Sequence, residues 1–268
     1  MESSGIMESS GIMESSGIMN AGCVGGRCQG EGMDADTPPL TRTQASAAVE
    51  DLGWRYLLGC LVTSVEVGSL AAALRVAEAA ITACGTDADA HLRLDLRPDH
   101  VELSLQTRAR GVVTRPDADL AAAITEALAA SGARTGGATT TGGRRSVEML
   151  EIAVDALDIA AVRPFWRAVL GYGDEPGGGG PENALVDPTG QLPAVWFQQM
   201  DAPRPQRNRI HLDVTVPHDE ASARVQAALA AGGRLVSDAA ARAFWVLADA
   251  EGNEVCVCTW QDRDPAGA

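Results

Sequence analysis

The sequence predicts an α+β protein of two domains, an antiparallel sheet with helices on one face followed by two βαβββ units in tandem. Three observations favour this fold class. Residues 91–97 and 100–107 alternate polar and apolar side chains with a period of two, as strands of a half-buried sheet do. Residues 132–145 are rich in Gly and Thr and lack apolar periodicity, which is typical of a linker. After this linker, the order of a strand, a helix and further strands occurs twice.

Residues 1–39 are predicted to form a disordered leader. Residues 1–18 are three copies of Met-Glu-Ser-Ser-Gly-Ile, which are too polar to form a core and too short to form a repeat domain. Because each copy begins with methionine, Met7, Met13, Met19 and Met33 are alternative translation starts. We therefore expect no functional residue in this segment.

The composition argues against two classes of partner. The chain has 21 Lys and Arg residues against 36 Asp and Glu, a net charge of −15, which repels phosphate backbones and anionic membrane surfaces. No apolar run reaches the roughly 18 residues that span a bilayer. We expect a cytoplasmic protein that binds neither nucleic acid nor membranes. The six cysteines include no C-x-x-C pair and are expected to be reduced thiols.

Residues 40–131 are predicted to form the first domain. Thr43 is expected to cap a short helix through Glu50, and residues 54–67 are rich in β-forming side chains. Helices are predicted at 69–84 and 116–131, with the two alternating strands between them. The helical residues expected to face the core are Leu70, Leu74, Ala77 and Ile81 in the first helix and Leu120, Ile124 and Leu128 in the second.

Residues 146–262 are predicted to form the second domain, with 132–145 as the linker. Its first unit has a strand at 147–154, a helix from Asp158 to Leu170 that ends at Gly171, and shorter strands near 184 and 194–200. Its second unit has a strand at 209–216, a helix at 220–231, and strands near 235, 244 and 255. Two units with the same order of elements indicate a duplicated fold.

Four blocks of the second domain follow one another in a recognisable order, residues 158–172, 196–199, 208–213 and 249–256. In these blocks the domain resembles the glyoxalase-like, or vicinal-oxygen-chelate (VOC), family. The resemblance implies that the two units form a cup that holds a small molecule. Metal-dependent members of the family use His and Glu at four strand positions of the cup, and the matching residues here are Glu151, Gln198, His211 and Cys256.

Three interpretations of the cup stay open. Glu151, His211 and Cys256 are candidate ligands of a divalent metal, since imidazole, carboxylate and thiolate groups all bind zinc. In a cup without metal, Gln198 and His211 would hydrogen-bond a ligand directly. The third interpretation is a polar interior with no ligand. Trp196 and Trp245 are candidates for stacking on a planar ligand, although aromatic side chains in strands also serve as core.

The first domain resembles pterin-4a-carbinolamine dehydratase over about 90 residues. The resemblance rests on the helix, the two alternating strands and the segment 111–121. The family places His-His-Pro before the first of these strands and Thr-His after the second, whereas this chain has Ala90-His91-Leu92 and Thr107-Arg108. One of three expected histidines, His91, is therefore present.

The dehydration of a carbinolamine requires one group to protonate the leaving hydroxyl and another to accept the ring N–H proton, and imidazole suits both steps near neutral pH. The alternation of the strand predicts that His91, Arg93 and Asp95 form one polar stripe, with Arg108 nearby in the layout of the family. We assign His91, Arg93 and Asp95 as candidate catalytic residues and Arg108 as a candidate ligand-binding residue. The alternative is a strand face that is only solvated.

Three functional hypotheses follow. The first is a lyase acting on a pterin or another cyclic metabolite at His91. The second is non-catalytic binding or sequestration of a small molecule in the cup. The third is metal-dependent isomerase or dioxygenase chemistry at Glu151 and His211. No cofactor is certain, a divalent metal is the candidate, and both resemblances imply a homodimer.

Overall fold

The computed structural model describes residues 37–136, 147–178, 180, 181, 183–203 and 210–263. The predicted leader up to residue 36 and the segment 137–146, which holds most of the predicted linker, lie outside these residues. Within the described part of the chain, no helix combines the length and the apolar character needed to cross a membrane.

The first domain is a four-stranded antiparallel sheet with helices on one face, as predicted. Its elements are α1 (Arg42–Val49), β1 (Arg55–Leu57), β2 (Cys60–Glu66), α2 (Leu70–Cys84), α3 (Ala88–His91), β3 (Leu92–Leu96), β4 (His100–Leu105) and α4 (Arg115–Ala130). The strands lie in the order β1-β2-β4-β3, so β3 is an edge strand. One row of paired residues across the sheet packs with α2 and α4 in the core. This row consists of Leu61, Leu105 and Leu92.

The next row across this sheet lies on the face without helices. Val62 pairs with Ser104, and Ser104 pairs with Arg93. Because successive side chains of a strand point to opposite faces, these three residues point away from α2 and α4. The helix-free face thus carries the polar residues of β3 and β4.

The prediction for the buried face of α2 is wrong for three of its four residues. Leu70, Leu74 and Ile81 are 58%, 62% and 47% exposed, and only Ala77 is buried. The buried side chains of α2 are Ala73, Val76, Ala77, Ala80 and Cys84. The helix has two apolar stripes, and the one with the smaller side chains is buried against α4 and the sheet, where it allows a close approach.

At the start of the first domain, the cap of α1 differs from the predicted one and the following β segment is divided in two. Thr41, and not Thr43, caps α1, because its side chain accepts a hydrogen bond from the Gln44 amide and the Gln44 side chain bonds back to the cap. The predicted β segment 54–67 is a hairpin of β1 and β2. Its turn has left-handed backbone at Leu58 (φ 43°) and at Gly59 (φ 79°).

The second domain consists of two βαβββ units, as predicted. The first unit contains β5 (Glu151–Ala156), α5 (Ile159–Leu170), β6 (Gly173–Asp174), β7 (Leu185–Val186) and β8 (Ala194–Gln199). The second contains β9 (Leu212–Thr215), α6 (Ala221–Ala230), β10 (Arg234–Ser237), β11 (Phe244–Ala248) and β12 (Glu254–Cys258). The sheets have the matching orders β5-β8-β7-β6 and β9-β12-β11-β10, and in each the first and last strands of the unit pair in parallel.

The two units share one core, in which α5 packs against α6. Asp158 caps α5 through the Ala161 amide and Gly171 ends it in a left-handed conformation, both as predicted. The Glu251 carboxylate from the second unit accepts hydrogen bonds from the amides of Leu157 and Asp158. The loop after β11 therefore holds the start of α5.

Candidate functional site

A buried histidine and carboxylate form the centre of the first domain's candidate site. His91 ends α3 and is 2% exposed, and Asp117 in the first turn of α4 is fully buried. The His91 Nδ1 atom lies 2.7 Å from Asp117 Oδ1. A carboxylate at this distance orients the imidazole ring and stabilises its protonated form. The pair therefore has the geometry of a general acid–base group.

Two threonines complete the surroundings of Asp117. Its Oδ2 atom accepts hydrogen bonds from the Thr107 hydroxyl (2.8 Å), the Thr114 hydroxyl (3.0 Å) and the Thr114 backbone N–H (2.7 Å). Thr114 and Asp117 are the cap and third residues of α4, so the start of the helix itself positions the carboxylate. We name His91, Asp117, Thr107 and Thr114 the buried dyad network.

The predicted polar stripe of His91, Arg93 and Asp95 does not form. His91 belongs to the short helix α3, and β3 begins only at Leu92. The period-two argument therefore does not extend to His91, whose side chain is buried, while Arg93 and Asp95 are exposed.

The other predicted residues of this site have separate partners. Asp95 accepts two hydrogen bonds from the Arg97 guanidinium, and Arg93 Nη1 donates to the Gly190 carbonyl of the second domain at 3.0 Å. Arg108 Nη1 donates to the Asp89 carbonyl at 3.3 Å. The structure does not bring Asp95 and His91 together as an acid–base pair.

The sequence reasoning missed Asp117, which is the direct partner of His91. The segment Thr114-Arg-Pro-Asp117 has the Thr-x-x-Asp spacing of a capping box, with proline in the first turn. This pattern could have located a carboxylate at the start of α4. Its contact with His91, 26 residues away, depends on tertiary packing.

Cys60 lies close enough to this network to interact with it electrostatically. Burial raises the pKa of the Cys60 thiol to about 11, with the Arg93 charge lowering it and the Asp117 charge raising it. Cys60 is therefore a neutral thiol at physiological pH, which makes it a poor nucleophile.

The candidate cup of the second domain is formed by the sheet faces that point away from α5 and α6. In the first sheet, Val154, Val195 and Phe197 belong to the core, so Glu151, Trp196 and Gln198 lie on the opposite face. In the second sheet Val255 and Val257 belong to the core, so Cys256 and its neighbour Asp213 lie on the cup face. Trp196 and Gln198 thus lie on the cup face, and their roles toward a ligand stay predictions.

Trp245 does not lie on the cup face. It pairs with Val257 and packs against the shared core of the two units. The prediction of Trp245 as a stacking residue is wrong, because the position of β11 relative to β12 could not be fixed from the sequence alone.

The proposed metal ligands do not form a suitable donor set. Among the described residues, no three His, Cys, Asp or Glu side chains are close enough together to hold an ion. Glu151 and His211 are exposed, whereas Cys256 is buried. Burial and a hydrogen bond to Asp213 raise the pKa of Cys256 to about 11, so this group is a neutral thiol when no metal is bound. The described residues therefore do not fit a metal centre of the expected kind.

An open groove of about 640 Å³ lies on the outer side of α5, and not in the cup. It is lined in part by Arg163, Arg167, Tyr172 and Pro181. Arg163 and Arg167 both face Asp174, at 2.8 and 3.6 Å, so much of their positive charge is already paired.

Both domains match family models. Residues 38–127 match the model described as pterin 4 alpha carbinolamine dehydratase, and residues 151–258 match the model described as a glyoxalase-like domain. Each match covers the segment that carries the corresponding resemblance in the sequence, which confirms both resemblances. No curated protein matches the chain.

Solved structures similar to the chain cover only part of it. A hypothetical protein from S. aureus is 14% identical, with a TM-score of 0.33, over 43% of this chain and 95% of its own. A glyoxalase/bleomycin resistance protein/dioxygenase family enzyme from Burkholderia phytofirmans PsJN is 18% identical, with a TM-score of 0.30, over 41% and 95%. The fosfomycin resistance protein FosX from Mesorhizobium loti is 9% identical, with a TM-score of 0.33, over 41% and 90%.

Proposed function

We propose that this chain, which joins a pterin-4a-carbinolamine-dehydratase-like domain to a glyoxalase-like domain, is a lyase that dehydrates a cyclic carbinolamine at His91. The two domain families support the coarser statement that it processes a small molecule. The observation that carries the finer proposal is the 2.7 Å contact between His91 Nδ1 and the buried Asp117 carboxylate.

In the proposed reaction the carbon–oxygen bond of the carbinolamine breaks and a carbon–nitrogen double bond forms. The hydroxyl group leaves as water after receiving a proton, and the neighbouring ring nitrogen loses its proton. His91 exchanges protons with the substrate, and Asp117 stabilises the imidazolium that results. The family's other two histidines are absent, so solvent completes the second proton transfer in this proposal.

The test uses the full chain and a pterin 4a-carbinolamine as substrate. We expect dehydration faster than in buffer alone, and a loss of about a hundredfold or more in His91→Ala, which is the usual contribution of an acid–base group. His100→Ala is the matched control, because His100 is a partly exposed histidine of the same domain that pairs with Asp99. A wild-type rate equal to that in buffer, or an unchanged rate in His91→Ala, would contradict the proposal.

A second candidate function is ligand binding in the cup without metal. It is supported by the position of Trp196 and Gln198 on the cup face, together with the poor fit of Glu151, His211 and Cys256 to a metal. Isomerase or dioxygenase chemistry at Glu151 and His211 would require such an ion, so it is not the function that these residues favour.

Titration with Zn²⁺ and with Mn²⁺ separates these possibilities. We expect the wild-type chain and His211→Ala to give the same weak binding heats in calorimetry, because the candidate ligands do not converge. Gln191→Ala, which changes an exposed side chain outside the cup strands, is the control. Stoichiometric binding that His211→Ala abolishes would establish a metal centre instead.

A further inference from the structure

The helix-free face of the first domain's sheet is covered around Val62. This side chain is 2% exposed although it lies outside the helix-side core. Its row across the sheet continues through Ser104 to Arg93 on the edge strand β3. The low exposure of this apolar side chain shows that neighbouring groups shield this part of the face from water.

Arg93 connects this face to the turn between β7 and β8. Its Nη1 atom donates to the Gly190 carbonyl at 3.0 Å. A Cβ atom on Gly190 would meet the Arg93 guanidinium and displace it, and the backbone φ of +67° favours glycine at this position. The guanidinium remains exposed, which places this hydrogen bond at the rim of the contact.

The turn that receives Arg93 is held by Asp187. Its carboxylate accepts hydrogen bonds from the Thr189 hydroxyl and from the amides of Thr189, Gln191 and Leu192. Burial alone would raise the pKa of Asp187, but these hydrogen bonds outweigh it and lower the pKa below its usual value. The Gly190 carbonyl is therefore presented to Arg93 by a fixed turn.

A second contact between the domains lies beside Thr107. A Cβ atom on Gly111 would lie 3.0 Å from the Pro176 carbonyl oxygen, and one on Gly177 would lie 3.2 Å from the Arg110 carbonyl oxygen. These distances mean that the two backbones pass in close contact. Thr107, which bonds to Asp117, is three residues before Arg110.

We propose that the glyoxalase-like domain docks on the helix-free face of the dehydratase-like sheet and thereby covers the access to His91. The segments on either side of the buried dyad network, which contain Arg93 and residues 110–111, both contact this domain. His91 itself is 2% exposed. A ligand reaches the histidine when the contact at Gly190 and Pro176 opens. This proposal concerns access alone and holds whether or not the dyad turns over a carbinolamine.

The test measures the solvent access of His91 in the full chain, without substrate. Hydrogen–deuterium exchange at the imidazole C2 position, followed by mass spectrometry over a range of pH, reports each of the four histidines separately. We expect Arg93→Ala to accelerate the exchange of His91 about threefold, because an exposed hydrogen bond of a charged group is weakened by solvent. The rate at His100 should not change.

Two further variants make the result specific. Arg97→Ala removes a guanidinium of the same domain that donates two hydrogen bonds to Asp95, and it should behave as wild type. Gly190→Ala should accelerate the hydrogen–deuterium exchange of His91 as Arg93→Ala does, because the added Cβ atom displaces the Arg93 guanidinium. Unchanged exchange at His91 in both Arg93→Ala and Gly190→Ala would overturn the proposal. Faster backbone exchange at 187–192 with no change at His91 would also overturn it.

Discussion

Replacing Asp117 by alanine is expected to lower the free energy of unfolding by about 3–5 kcal/mol, because it leaves several buried hydrogen-bond donors without an acceptor, each at a cost of roughly 1–3 kcal/mol. The substitution leaves the His91 ring, the Thr107 hydroxyl and the Thr114 amide without the acceptor that each now has in Asp117. It also removes the residue that completes the cap of α4. Urea unfolding of the full chain, analysed by linear extrapolation, measures the change.

Asp119→Ala is the matched control for this prediction. Asp119 lies two residues further along α4 and pairs with Arg115 on the surface, with both side chains more than half exposed. Its removal should change the free energy of unfolding by less than about 0.5 kcal/mol. A loss of under about 1 kcal/mol in Asp117→Ala would contradict the view that the carboxylate organises the first domain.

Asp117→Asn separates the structural role of this residue from its proposed chemical role. The amide retains an oxygen acceptor and a similar shape but has no negative charge to stabilise an imidazolium. We therefore expect the variant to fold. Its rate of carbinolamine dehydration should fall below the wild-type rate, as in His91→Ala, whereas His100→Ala should keep the wild-type rate. Equal turnover in Asp117→Asn and the wild-type chain would indicate that Asp117 acts only in packing.

Much of the fold could be predicted from local sequence patterns, because the tertiary structure keeps the elements that these patterns favour. The alternation in 92–96 and 100–105, the Asp158 cap and the Gly171 stop each specify a boundary or a face through local physics. The faces of α2 could not be assigned in the same way. Leu70 and Ala73 both fall on apolar stripes, and the packing of the helix on α4 and the sheet selects the alanine stripe.

The candidate sites show the same limit. His91 was identifiable from its position in the dehydratase-like pattern, but its side-chain direction depends on α3, which is only four residues long. Asp117 and Arg93 acquire their roles from contacts 26 and 97 residues away. Such contacts are set by the packing of elements and domains, which hydrophobic periodicity does not encode.

Asp249→Ala is expected to destabilise the second domain by about 2–4 kcal/mol, because it leaves buried donors without an acceptor. The Asp249 side chain is fully buried and accepts hydrogen bonds from the Trp166 indole N–H (3.0 Å) and the Asn253 side chain (2.8 Å). Its other oxygen accepts from the amides of Glu251 and Asn253. One carboxylate thus ties α5 of the first unit to the turn before β12 of the second.

A double-mutant cycle with Trp166→Phe tests this connection. Phenylalanine keeps an aromatic ring in the core and removes the indole donor, so Asp249→Ala should cost about 1–2 kcal/mol less in that background than in the wild-type chain. Asp219→Ala, at an exposed position before α6, is the control and should leave stability nearly unchanged. If the losses in the free energy of unfolding from Asp249→Ala and Trp166→Phe were additive, the hydrogen bond from the Trp166 indole would contribute little. Asp249 would then act mainly through its bonds within the turn at 249–253.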